Sequence, residues 1–162
     1  MAKWTAVCLL AVLALAGCGS GESAEMSAAV QGIDAQLRST YGHSYAGLEV
    51  EGDLLIVYRK PDAAVDALVR DLAGDVDVEL RDAPYALEQL QPLADRVDRD
   101  RYHWSTRSFP VKLVVTRPDG TGVNAFVATD DLEAARAEFR ERYDDEPIFV
   151  ERPSRTGIVP VG

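Results

Sequence analysis

The side chains suited to chemistry are thinly scattered along this chain. Two histidines, His43 and His103, stand in loop-like stretches without the H-E-x-x-H spacing that turns a pair toward zinc on one helical face. Ser44 follows His43 directly, but adjacency does not make a nucleophile and its base, because their side chains must meet in space. No G-x-S-x-G elbow and no G-x-x-x-x-G-K-S/T loop occurs. Gly120-Thr121-Gly122-Val123-Asn124-Ala125 matches G-x-G-x-x-A by letter. A dinucleotide loop needs a helix after its glycines, and Val123 to Thr129 has a strand pattern, so Asp119-Gly120 reads as a hairpin turn. Carboxylates gather at Asp95, Asp98 and Asp100 and at Asp144, Asp145 and Glu146. Neither group has calcium-loop spacing, since Tyr102 and His103 occupy the ligand and turn-glycine positions, and both read as solvated loops. No catalytic constellation, metal site or cofactor is expected.

One segment stands out against this background. Arg99, Arg101, His103, Trp104 and Arg107 lie within nine residues of an acidic chain. Arginine and tryptophan are enriched at binding hot spots, and a planar guanidinium pairs with anions and stacks on rings. The segment is the candidate ligand or partner surface. The alternative is that its aromatics pin a link between two halves while its arginines answer nearby aspartates.

The other notable chemistry is a thiol at a seam. After Lys3, the run Trp4–Ala16 is almost wholly apolar, and it ends in Leu15-Ala16-Gly17-Cys18 before a Gly/Ser/Glu stretch. Its 13 residues fall short of the roughly 20 needed to span a bilayer core. The positive start, short apolar region and small-residue ending read as a secretory signal peptide over 1–17. Leu-Ala-Gly-Cys resembles the lipobox of bacterial lipoproteins. That resemblance implies a diacylglycerol on the Cys18 sulfur, cleavage just before it, and a chain held at the outer face of a cell membrane. Two or more acyl chains anchor stably where one is marginal. Residues 18–26 then read as lipidated cysteine and flexible linker.

Composition narrows the rest. The net charge of −10 argues against nucleic acid and against an electrostatically held membrane surface. Cys8 leaves with the leader and Cys18 carries lipid, so no disulfide is available and packing alone must hold the fold.

The elements that must position these residues follow from periodicity. Val30, Ile33, Leu37 and Tyr41 form one helical stripe, giving a helix over 27–40. Strands are expected at 45–50 and 54–59 around Glu51-Gly52-Asp53, a helix capped by Asp62, and a strand through Val76, Val78 and Leu80. A linking helix from Pro84 to Asp98 should kink or split at Pro92. After a connecting segment at 99–109 the order returns: strands at 111–116 and 123–129, a helix capped by Asp130-Asp131, a strand at 147–151, and a tail over 153–162. Val65, Leu68 and Leu72 fall on Leu132, Ala135 and Phe139 at a spacing of sixty-seven residues. The expected fold is therefore α+β. Two strand-strand-helix-strand units, 41–98 and 110–152, each carry an antiparallel sheet of spatial order 2-1-3, joined by the N-terminal and linking helices.

Tyr45-Ala46-Gly47, the strand Leu54–Tyr58, the helix after Pro61 and Pro84-Tyr85-Ala86-Leu87-Glu88-Gln89-Leu90 together resemble pro-region modules of secreted bacterial serine proteases of the α-lytic type. The resemblance covers 41–98 and implies the fold of one unit, and in that family the module assists and inhibits its protease. No protease domain follows here. The functional expectation is a lipid-anchored, non-catalytic binding module with an extracytoplasmic protein partner. A pro-region-like folding assistant or inhibitor and a carboxylate-based hydrolase are the alternatives.

Overall fold

In a computed structural model, residues 21–153 are described. The apolar leader, Cys18 and the tail from residue 154 onward lie outside the described residues, so the signal, lipidation and tail assignments rest on sequence. Eleven elements follow one another: α1 (Gly21–Thr40), β1 (Tyr45–Glu51), β2 (Leu54–Arg59), α2 (Ala63–Ala73), β3 (Asp77–Asp82), α3 (Leu87–Arg99), α4 (Arg101–Thr106), β4 (Val111–Thr116), β5 (Val123–Val127), α5 (Leu132–Tyr143) and β6 (Ile148–Glu151).

Local chemistry sets most of these boundaries. Asp62 is extended, and its carboxylate accepts from the Ala64 N–H at 3.0 Å, capping α2. Val65, Val69 and Ala73 then form one buried stripe, and Gly74 ends the helix at φ 59°, a conformation that costs glycine little. Asp131 caps α5 in the same way through Ala134. That helix stops at Asp144 and Asp145, both in the left-handed region, which aspartate tolerates better than most residues. α1 starts at Gly21, six residues ahead of the expected Ser27, so 21–26 is helix rather than linker. α3 runs unbroken through Pro92, which is solvent-exposed. The buried stripe Leu87, Leu90, Leu93, Ala94 and Val97 holds the turns on both sides of it. The Ala86 N–H donates to the Gln89 side chain at 3.0 Å at its start.

The architecture is α+β, with two strand-strand-helix-strand units, each holding a three-stranded sheet. The strand order differs from expectation. The sheets run β1-β2-β3 and β4-β5-β6, and they are mixed rather than antiparallel. β1 and β4 pair antiparallel with β2 and β5, and β3 and β6 pair parallel with those same central strands. The third strand does run parallel to the second, as chain reversal requires, but it also bonds to it. The reason lies in β2: Leu55, Ile56 and Val57 are all inaccessible to solvent. A run apolar on both faces belongs at the centre of a sheet, with a neighbour on each side.

The repeat is real in the geometry, at a spacing of seventy rather than sixty-seven. The buried residues Val65, Val69 and Ala73 of α2 correspond to Ala135, Phe139 and Tyr143 of α5. Val78 and Leu80 of β3 correspond likewise to Ile148 and Val150 of β6. Each first strand also breaks register once, between Tyr45 and Gly47 and between Val111 and Leu113. Bulges at matching places in two sheets are features of a shared plan.

Each sheet is covered by helices on one face. In the first unit α1 and α2 pack there around Ile33, Leu37, Tyr45, Leu55, Val57, Val65 and Val69. The buried Tyr45 hydroxyl donates to Asp34 at 2.6 Å, so the phenol is not left without a partner. In the second, α3, α4 and α5 enclose Trp104, Val111, Val123, Ala125, Val127 and Phe139. The units meet where the β4–β5 turn lies on the far side of the first sheet. A Cβ on Gly120 would come within 2.5 Å of the Tyr85 carbonyl oxygen, and one on Gly47 within 2.5 Å of the Pro118 Cα.

Candidate functional site

The arginine-aromatic segment folds as α4, and its side chains part company. Trp104 is inaccessible to solvent, so it offers nothing to a ligand. Its indole stacks on Phe139 with centroids 3.9 Å apart and planes 13° from parallel. The indole N–H donates to the Tyr143 hydroxyl at 3.1 Å, and that hydroxyl donates to Asp100 at 3.0 Å. Arg142 also donates to Asp100, at 2.8 Å. Arg142 holds the Asp100 carboxyl below the usual aspartate value, with Tyr143 helping and burial opposing. Burial pushes the Tyr143 phenol up.

The arginines of the segment act mainly as latches. Arg101 donates to Asp98 and to the carbonyls of Val111 and Lys112, tying α4 to the start of β4. Arg107 pairs with Glu138 of α5 at 2.9 Å. His103 lies half-buried, edge-on to Trp104 at 4.9 Å. Arg99 is exposed and forms no ion pair among the described residues. Of the five expected surface residues, the structure therefore takes Trp104 into the core and ties Arg101 and Arg107 to neighbouring elements, while Arg99 and Arg107 are exposed and Arg101 and His103 half-buried.

His43 and Ser44 also resolve plainly. The Ser44 hydroxyl donates to Asp62 at 2.8 Å, and the His43 Nε2 stands 4.0 Å from the same carboxylate. Both groups approach the same carboxylate oxygen, and no hydrogen bond joins the serine hydroxyl to the imidazole. The Ser44 hydroxyl and then the Ala64 N–H hold the Asp62 carboxyl below its ordinary value, as suits a cap. Every resolved carboxylate shift is downward, at Asp62, Glu79, Asp100 and Asp119. These groups are accepting anions at neutral pH. Gly120–Gly122 forms the expected hairpin turn, with Asp119 accepting from the Thr121 N–H at 3.0 Å and hydroxyl at 2.7 Å. Among the described residues no three His, Cys, Asp or Glu side chains gather as metal ligands, and no helix is long and apolar enough to cross a membrane.

The surface that sequence reasoning missed lies on the second sheet. Its helix-free face carries Val115, 37% exposed, Phe149, 40% exposed, and the half-buried Leu113 and Phe126. The Arg117 guanidinium sits over the Phe149 ring at 4.6 Å. β6 is the outer strand of that sheet. A cleft of about 300 Å³ runs between it and α5, with Arg136 and Arg140 on its helical wall. The signal was present in the letters: Leu113–Val115 and Ile148–Val150 are apolar at consecutive positions, yet helices cover only one face. The corresponding face of the first sheet is rimmed by Glu49, Glu51, Asp77 and Glu79, which pair across the strands with Ile56 and Leu54. No family model matches the chain, and no curated protein or solved structure matches it.

Proposed function

We propose that this chain is a lipid-anchored, non-catalytic binding module on the outer face of a cell membrane. The observation that carries the reading is the seam Leu15-Ala16-Gly17-Cys18 at the end of an apolar run too short to span a bilayer. The fold is consistent with it. α1 is helical from Gly21 and its buried side chains begin at Ala29, so in sequence its first turns lie between the packed body and the Cys18 seam. Half-exposed apolar side chains such as Leu113, Val115, Phe126 and Phe149, interleaved with Asn124 and Glu151 on the second sheet, support an interaction surface in a protein this acidic.

The anchor is tested in the native host by feeding an alkyne-bearing palmitate and separating membranes from soluble material. The parent chain is expected to take up the label and pellet with membranes. Cys18→Ser should lose the label and leave the membrane fraction while its circular dichroism after purification shows a folded body. Membrane retention of Cys18→Ser equal to that of the parent would overturn the reading.

A further inference from the structure

We infer that the outer edge of β3 receives an extended protein segment in which apolar and basic residues alternate, added antiparallel as a fourth strand of the first sheet. β3 bonds to β2 on one side and is the last strand of its sheet on the other. The Ala83 N–H donates to the Arg59 carbonyl of β2 at 2.9 Å, so odd-numbered residues at this end of the chain address β2. The backbone groups of Val78 and Leu80 therefore point to the open edge, and among the described residues no side chain or loop bonds to them there. The second unit shows a closed edge for contrast. Arg136 donates to the Val150 carbonyl of β6, and the Ile148 N–H donates to the Glu146 carbonyl. At the spacing of seventy, Asp66 stands in place of Arg136, and it is held by Arg59 at 2.7 Å instead. β3 also runs for six residues where β6 has four.

The chemistry of the occupant follows from the two faces of the strand. On the helical side, Val78 and Leu80 are half-buried and border a cleft of about 390 Å³, with Asp66 and Arg70 on its α2 wall. Residues set opposite Val78 and Leu80 in an added strand lie along this cleft, where apolar side chains extend the half-buried pair. On the other face, Asp77 and Glu79 continue rows that begin with Glu51 and Glu49 of β1. Arg81 answers Glu79 at 2.8 Å and the Tyr58 hydroxyl donates to Glu49, but Asp77 and Glu51 form no ion pair among the described residues. An added strand sets every second side chain beside these acids, so basic residues complement them. A second copy of this chain would instead set its own Asp77 and Glu79 against them, and facing like charges repel. The inference concerns the first unit, and it is independent of the lipid anchor and of the second sheet's apolar face.

The test uses the full chain in mild detergent and, as probe, a fluorescent peptide of alternating lysine and valine. Saturable binding is expected by fluorescence anisotropy. Amide exchange at Val78 and Leu80 should slow on binding, while exchange at Ile148 and Val150 stays unchanged. In the antiparallel register the valine amides of the peptide face β3 and its lysine amides face away. N-methylation of the valine amides is expected to weaken binding by about tenfold or more, and N-methylation of the lysine amides to leave it unchanged. Asp77→Lys should weaken binding by about tenfold as well. Equal affinity for the two methylated peptides, an all-lysine peptide that binds as tightly as the alternating one, or unchanged exchange at Val78 and Leu80 would each overturn the proposal.

Discussion

The indole N–H of Trp104 donates to the hydroxyl of Tyr143 at 3.1 Å, across a gap of 39 residues in sequence. This contact decides what the arginine-aromatic segment is for. A tryptophan stacked on Phe139 and satisfied by a buried phenol pins α4 and α5 together. Trp104→Ala is expected to cost about 3–5 kcal/mol in urea unfolding, as removal of a large buried aromatic does. Tyr143→Phe should cost about 1–3 kcal/mol, because it leaves the indole N–H buried without an acceptor. A Trp104→Ala chain with the parent's unfolding midpoint would contradict this assignment.

The same network predicts how acid acts on the protein. Arg142 first, then Tyr143, hold the folded Asp100 carboxyl below its ordinary value of 3.8. A group depressed in the folded state contributes stability that is fully present above its ordinary value. That contribution is lost as pH falls through the folded value. The stability gap between parent and Asp100→Asn should therefore be largest at pH 7, and it should narrow as pH drops below about 4. Urea midpoints of both chains at neutral and acidic pH check this, and a gap that widens in acid would contradict it.

Two glycines separate backbone conformation from close contact. Gly52 and Gly120 both have positive φ, at 63° and 68°. Space is open around Gly52, while a Cβ on Gly120 would strike the Tyr85 carbonyl, the Ala83 Cβ and the Ala46 Cβ. Gly52→Ala should cost about 1–2 kcal/mol, the strain of a left-handed residue alone. Gly120→Ala should cost more and should loosen the joint between the units. Faster amide exchange at Tyr85, whose N–H bonds to the Gly120 carbonyl, would report it. Equal losses for the two variants would show that the turn does not seal the joint.

Much of this fold was legible because local chemistry dictated it. The caps Asp62 and Asp131, the turn glycines and the amphipathic stripes each carry their meaning within a few residues. The strand order was not, because it depends on which strand can bear burial on both faces. Leu54–Tyr58 held that information as a two-faced apolar run. Pro92 misled because a proline's cost is local, whereas the stripe from Leu87 to Val97 that outweighs it spans the helix. The arginine-aromatic segment misled for the opposite reason. Residue types enriched at interfaces are also those that pack best inside, and only the Phe139 and Tyr143 partners distinguish the two. The apolar face of the second sheet stayed hidden because the sequence does not reveal which face the helices leave open.

The register break that recurs between Tyr45 and Gly47 and between Val111 and Leu113 bears on the shape of both sheets. An inserted residue sharpens the right-handed twist of its strand, so each sheet coils most at the start of its first strand. In the first sheet the extra residue is Ala46, and the β4–β5 turn of the other unit sits beside it: a Cβ on Gly120 would meet the Ala46 Cβ, and one on Gly47 would meet Pro118. The added residue thus shapes the seat on which the neighbouring turn rests.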